Sequence, residues 1–163
     1  SMDVKDAVLR QTVLRSPIFA DHFGHRDDEC EFMEQGEHEV RYLIVPHEAS
    51  WPAAGIVQKA LSLNAPPITV NETYHHGPLP LTLSGISVSS SQIVALVLKV
   101  CEDGAGWIVR CSETQGAEAQ VSISLPLSGR TWDARFSPSE IKTFHVPFAP
   151  DLPVEEVNLI ELT

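Results

Sequence analysis

Ala117-Glu118-Ala119-Gln120-Val121-Ser122-Ile123-Ser124-Leu125 is the stretch on which the fold turns, because every second residue is apolar. A period of two is that of an extended chain whose successive side chains point to opposite faces, so this segment predicts a strand with one face in a core and the other in water. Trp132, Ala134 and Phe136 repeat the pattern against Asp133 and Arg135. Upstream, residues 93–100 read Ile-Val-Ala-Leu-Val-Leu-Lys-Val, a nearly unbroken apolar run that predicts a central strand covered on both faces. Glu102-Asp103-Gly104-Ala105-Gly106 then forms a Gly-rich tip of hairpin length before Trp107. The strands on either side of it are predicted to pair antiparallel.

Working outward, strand-like runs occur at residues 8–14, 39–45, 68–73, 86–88, 92–101, 107–114, 131–136, 141–146 and 157–162. One helix interrupts them over residues 51–64, where Ala53, Ile56, Val57, Ala60 and Leu61 share a face. Ser50 is positioned to cap it, Pro52 suits its first turn, Asn64 can take a left-handed cap, and Pro66-Pro67 end it. The fold class expected is therefore mainly β: an antiparallel β-sandwich with two extra N-terminal strands and one short connecting helix. The expected organisation is 3–47 as two orphan strands, 48–66 as a helical connector and 67–163 as the sandwich. Two strands cannot close a core of their own, so the first segment must pack on the sandwich or belong to a sheet whose other strands lie elsewhere.

The 163 residues suffice for about one domain with a genuine core. Twenty-two acidic against 11 basic residues leave a net charge of −11, which argues against nucleic acid or an anionic membrane as partner. No apolar run approaches the roughly 18 residues that span a bilayer. Ser1 ahead of Met2 resembles a residue left by tag cleavage, from which a longer parent protein is expected. Three cysteines make no disulfide scaffold. Cys101 and Cys111 flank the hairpin tip, but their offset along the ladder puts their Cα atoms roughly 10 Å or more apart, beyond the ~7 Å limit for a disulfide. Free thiols are expected, and with them a reducing, cytoplasmic location.

The densest chemical region runs from Asp21 to His38. His22, His25, Cys30 and His38 are zinc-ligand types, but their spacing fits no compact template, and a solvated loop rich in carboxylates explains them as well. The acids between Asp27 and Glu37 could supply the carboxylate pair that glycoside hydrolysis needs, yet nothing in the sequence makes any two converge. His75-His76 before Gly77-Pro78 reads as the polar end of a strand entering a turn. No Gly-x-Ser-x-Gly elbow and no phosphate-cradling loop is present.

Several segments, in order, resemble the C-terminal part of glycoside hydrolase family 38 α-mannosidases: Leu14-Arg15-Ser16-Pro17, then Gln35-Gly36-Glu37-His38-Glu39-Val40-Arg41-Tyr42 with Pro46-His47, then Glu72 to Pro80, the Glu102-Asp103-Gly104 hairpin, and Glu155 to Leu162. Val40 departs from the family's more frequent Phe, a packing change. The resemblance implies that the two orphan strands of 3–47 are terminal strands of a larger sheet. It further implies a larger retaining α-mannosidase whose zinc ion, Asp nucleophile and acid/base Asp lie in an N-terminal domain. None of those residues matches a position here, so it implies no catalytic residue and no metal or cofactor in this chain, with zinc expected in the parent's catalytic domain. It implies as partners that catalytic domain, an α-mannoside or oligosaccharide substrate, and contacts within a homo-oligomer. Arg15 is the one candidate substrate-binding residue, at the rim of the cleft. Two other readings stay open on the residues alone: an accessory carbohydrate-binding sandwich, for which an aromatic content of 7% offers few stacking platforms, and a small metalloenzyme using the His22, His25, Cys30 and His38 set.

Overall fold

The computed structural model describes residues 2–17, 35–73, 76–78 and 80–161. They fall into two compact units, Ser1–Leu43 and Ile44–Thr163.

In the first unit β1 (Met2–Lys5) and β2 (Val8–Gln11) form an antiparallel hairpin with Met2 opposite Gln11. Its two turn residues, Asp6 and Ala7, both have positive φ, at 53° and 59°. That is the signature of a two-residue turn whose twist matches the strands it joins. The strand expected over residues 8–14 is thus shorter, and its partner precedes it in the chain. The strand expected over 39–45 does not form; those residues are irregular. Every described residue of this unit is exposed. An alternating pattern becomes a strand only where a ladder partner and a core face are supplied, and neither is present at 39–45 among the described residues.

In the second unit, residues 51–55 form turns and α1 spans Ile56–Asn64, later than the expected start. Gly55, at φ 64° in the left-handed region, is the residue before the helix and stops it from extending backward. Ser50 contributes its carbonyl to the amide of Ala54 at 3.1 Å, and no side chain caps the helix. At the other end Ala65 is the cap residue, its amide donating to Leu61 at 2.8 Å, while the Asn64 side chain donates back to the Ala60 carbonyl at 2.9 Å. Asn64 therefore does not take the left-handed role expected of it. Residues 68–73 are not a strand either; Ile68 is 93% exposed, so its apolar character has no sheet to join.

The rest of this unit is a β-sandwich. One sheet has the order β3 (Ser87–Val88), β6 (Ala119–Leu125), β7 (Arg130–Phe136); the other has β4 (Ile93–Val100), β5 (Gly106–Glu113), β8 (Ile141–Pro147), β9 (Glu155–Val157). All pairings are antiparallel. The alternating residues Ala119, Val121, Ile123 and Leu125 face inward with Phe136. They meet Ile93, Val109, Cys111, Phe144 and Val146 from the other sheet in one continuous core. Trp132 and Phe136 close on Phe144 with ring centroids 5.6 and 6.4 Å away, the tilted and edge-on arrangements aromatic quadrupoles favour.

β4 pairs with β5 across the predicted Gly-rich tip, but it lies at the edge of its sheet and is not covered on both faces. Leu96, Leu98 and Val100 are exposed, and the register shifts between Ala95 and Val97. A continuous apolar run does not by itself distinguish a central strand from a bulged edge, because strand order is a tertiary property.

At the end of β5, Glu113 is buried and its carboxylate accepts from the amides of Gln115 (2.7 Å), Gly116 (2.8 Å) and Ser139 (2.7 Å). Burial alone would push this carboxyl up; the amides of Ser139, Gln115, Gly116 and Ala117 outweigh it and hold the carboxyl below its ordinary range. Replacing Glu113 with Gln turns an N–H toward amide donors, and denaturant unfolding at pH 7 is expected to report a loss of roughly 2–4 kcal/mol. Because the folded-state value is the lower one, the stabilisation is complete above the unfolded-chain Glu pKa of roughly 4.3 and is lost as pH falls through the folded value. The difference between wild type and Glu113→Gln should shrink over that interval. Ile123→Ala, at the centre of the core, is expected to cost roughly 2–5 kcal/mol in the same measurement.

Candidate functional site

The strand alternation that sends Val109, Cys111, Phe144 and Val146 into the core sends Ile108 on β5 and His145 on β8 to the opposite, outer face of the four-stranded sheet. Ile108 and His145 are register partners, so their side chains stand side by side. There a second, smaller apolar cluster of Cys101, Ile108 and Val157 forms. The turn after β9 also contributes: Arg110 on β5 donates to the Thr143 hydroxyl at 3.1 Å and to the Leu159 carbonyl at 2.8 Å, fastening that turn to the sheet. Between the turn, the hairpin tip and the two strands is a cavity of about 350 Å³ lined by Cys101, Glu102, Asp103, Ile108, His145, Val157, Ile160 and Glu161.

The hairpin tip sets the polar wall. Cys101 and Gly106 close it, the Cys101 amide donating to the Gly106 carbonyl at 3.0 Å. The Asp103 carboxylate accepts from the Ala105 amide at 2.9 Å, the local pattern that makes Asp a turn residue, and from the Cys101 thiol at 2.7 Å. The Gly106 amide in turn donates to Cys101 Sγ at 3.0 Å. Cys101 Sγ lies 3.7 Å from His145 Nε2. The ligand-type atoms of Cys101, Asp103 and His145 all fall within 4.8 Å of one another. The thiol's donation first, then the Ala105 amide, holds the Asp103 carboxyl below the usual range.

Glu161 completes the wall. Its Oε1 pairs with Lys99 at 2.7 Å, and its side chain is 10% exposed. Its Oε2 is buried with no hydrogen-bond partner among the described residues. Lys99 also bonds Glu102 at 2.7 Å, and the hydrogen bonds from Glu102 and then Glu161 raise the lysine's pKa. The lysine therefore stays charged between two carboxylates.

Arg15 is exposed in the irregular stretch after β2 of the first unit. His22, His25 and Cys30 lie outside the described residues, as do the acids from Asp27 to Glu34; Glu37 and His38 are exposed in the first unit. His75 is also outside the described residues, and His76 is not in a strand. Cys101 and Cys111 are free thiols, as their offset predicts, with Cys111 opposite Ala95, far down the ladder from the tip. Burial pushes the Cys111 thiol up to about 11. His145 escaped notice because its only sequence signal is a polar residue at an outward position of a strand. Its proximity to Cys101 follows from the pairing of β5 with β8.

These features define an antiparallel β-sandwich with a thiol, imidazole and carboxylate cluster on its outer face. Against curated proteins, the chain is 29% identical over 130 residues to human Alpha-mannosidase 2C1, covering 76% of this chain and 11% of that protein. Mouse Alpha-mannosidase 2C1 is 29% identical over 134 residues, covering 78% and 12%. Alpha-mannosidase G of Dictyostelium discoideum is 29% identical over 111 residues, covering 64% and 9%. The chain is thus related to α-mannosidases and spans about a tenth of the length of these relatives. No family profile and no solved structure matches it. Among the described residues no helix is long and apolar enough to cross a membrane.

The close approach of β5 to β8 at the cavity depends on Gly106. A Cβ there would sit 2.6 Å from His145 Nε2, 2.6 Å from the Val146 carbonyl and 2.9 Å from Pro147 Cα. Gly106→Ala is therefore expected to force the imidazole and the strand apart, at a cost of roughly 1–3 kcal/mol. Denaturant unfolding checks the stability loss, and the NMR imidazole resonances of His145 should move while those of His47 stay in place.

Proposed function

We propose that this chain is the non-catalytic C-terminal β region of a zinc-dependent, retaining α-mannosidase of glycoside hydrolase family 38, supporting the parent's catalytic domain. The observation that carries this reading is the similarity to three α-mannosidases over most of this chain and about a tenth of theirs, in a chain whose fold is a β-sandwich. In this reading the zinc ion, the nucleophile and the acid/base carboxyl reside in the catalytic domain, which is also this region's partner. The substrate is an α-mannoside or oligosaccharide, and the first unit's hairpin is part of a larger sheet. The free thiols Cys101 and Cys111 support a reducing, cytoplasmic setting.

A sugar-binding sandwich is less well supported. Trp132, Phe136 and Phe144 are engaged with one another at the core, which withdraws them from the outward platforms on which pyranose rings stack. The purified 163-residue chain, supplied with zinc, is expected to release no aryl alcohol from an aryl α-mannoside; turnover that copurifies with the chain would overturn the non-catalytic role. In the parent enzyme, Arg15→Ala is expected to lower kcat/KM for an α-mannoside by roughly 10–100-fold, the worth of one charged hydrogen bond to substrate. Unchanged kinetics would remove Arg15 from the cleft rim.

A further inference from the structure

We propose that Cys101, Asp103 and His145 form a zinc-binding site on the outer face of the four-stranded sheet, opening into the cavity that Glu161 lines. The inference rests on the side chains themselves and is independent of the mannosidase relationship.

The donor set fits the metal. Thiolate, imidazole and carboxylate together are the ligands of a borderline-soft divalent ion, whereas the hard cations Mg²⁺ and Ca²⁺ take oxygen. The geometry fits as well. Tetrahedral zinc, with bonds of about 2.3 Å to sulfur and 2.0–2.1 Å to nitrogen, holds those two atoms roughly 3.6 Å apart. Cys101 Sγ and His145 Nε2 stand 3.7 Å apart. The Cys101–Asp103 edge is now closed by the thiol proton, which bridges Cys101 Sγ to Asp103 at 2.7 Å, and all three ligand atoms lie within 4.8 Å of one another. Zinc takes the place of that proton, which leaves to solvent, and the sulfur and carboxylate oxygen separate by somewhat less than 1 Å to the spacing of two ligands.

The surroundings are built for an anionic sulfur. The Gly106 amide donates to Sγ at 3.0 Å, a contact that stabilises thiolate and orients it. The ligands come from a closed hairpin tip and a central strand, and Gly106 lets the strand carrying His145 approach. Independently, the Oε2 atom of Glu161, buried on the same cavity wall, has no hydrogen-bond partner among the described residues. Buried carboxylate oxygens without a donor are costly. Lys99 already balances the charge of Glu161, so the orphan oxygen lacks only a donor, which water on the open fourth position of the zinc supplies. Three protein ligands beside a cavity of about 350 Å³ describe a site with an exchangeable position and not a closed four-ligand staple.

The test uses the 163-residue chain purified without a nickel column and stripped by chelator. Zinc titrated calorimetrically is expected to bind at one equivalent, and Co²⁺ to give a thiolate charge-transfer band with the intense visible bands of a tetrahedral ion. Zinc at a hundredfold excess over Kd should raise Tm by roughly 5–10 °C and protect Cys101 from alkylation, mapped by peptide mass spectrometry. Cys101→Ser and His145→Ala should each weaken binding by roughly 100-fold or more, and Cys101→Ser should abolish the charge-transfer band. Asp103→Asn, at an exposed turn, serves as the variant that keeps the fold, and should weaken binding while its apo Tm stays near wild type. A variant carrying His22→Ala, His25→Ala, Cys30→Ser and His38→Ala should bind as wild type does. The proposal is overturned if the wild type takes up no stoichiometric metal, if Cys101 alkylates equally fast with and without zinc, or if the four-residue variant loses binding that Cys101→Ser retains.

Discussion

The register between β5 and β8 is the constraint on which both the core and the cleft depend. With Ile108 opposite His145 and Val109 opposite Phe144, one parity of residues fills the sandwich interior and the other builds the outer face. A slip of β8 by one residue would send Phe144 and Val146 to the outer face and turn His145 into an apolar interior. The slip is opposed twice: by the apolar area the inward set buries and by Gly106, which alone among residue types tolerates the backbone of β8 at this distance. Packing on one face thereby fixes the chemistry on the other.

Two carboxylates of the sandwich lie at the two ends of β5. Glu113 gathers backbone amides, those of Gln115, Gly116 and Ser139 among them, at the far end of β5, and Asp103 orders the tip at the near end. Both carboxylates satisfy backbone donors that turns would otherwise leave without partners; backbone amides hold Glu113 below the ordinary carboxyl range, and the Cys101 thiol, then the Ala105 amide, do so for Asp103. Their settings differ in one respect. Among the described residues Glu113 meets only amides, whereas Asp103 also meets a thiol and lies within 4.8 Å of an imidazole across the strands. The same turn chemistry that closes a hairpin thus places a carboxylate beside two metal-binding atom types.

Much of the fold could be read from residue patterns. The alternation at Ala119, Val121, Ile123 and Leu125 identified a core face that the structure places at the centre of the sandwich, and the Gly-rich tip identified the β4–β5 hairpin. Patterns failed where a property of the assembled sheet was at stake. The apolar run of β4 suggested burial on both sides, but strand order leaves it at an edge. The alternation at 39–45 and the β-branched residues at 68–73 lacked a ladder to join, and Gly55 overrode the capping signals that pointed to Ser50. The relationship to α-mannosidases was legible in ordered short segments, because such segments survive divergence that erases overall identity.

By itself, the sequence determined the mainly β class, the inward faces of its best-patterned strands, the free state of Cys101 and Cys111, and the mannosidase relationship. These rest on local periodicity, reach along the chain and residue identity, all of which are properties of a linear string. Only the tertiary structure decided that Cys101, Asp103, His145 and Glu161 share one cavity wall, because residues 44 positions apart become neighbours through the pairing of β5 with β8 and not through spacing. The acidic, histidine-rich stretch from Asp21 to His38 has the richer composition, and composition by itself says nothing of where ligands meet. Convergence came from a rigid ladder that holds an imidazole within reach of a thiol.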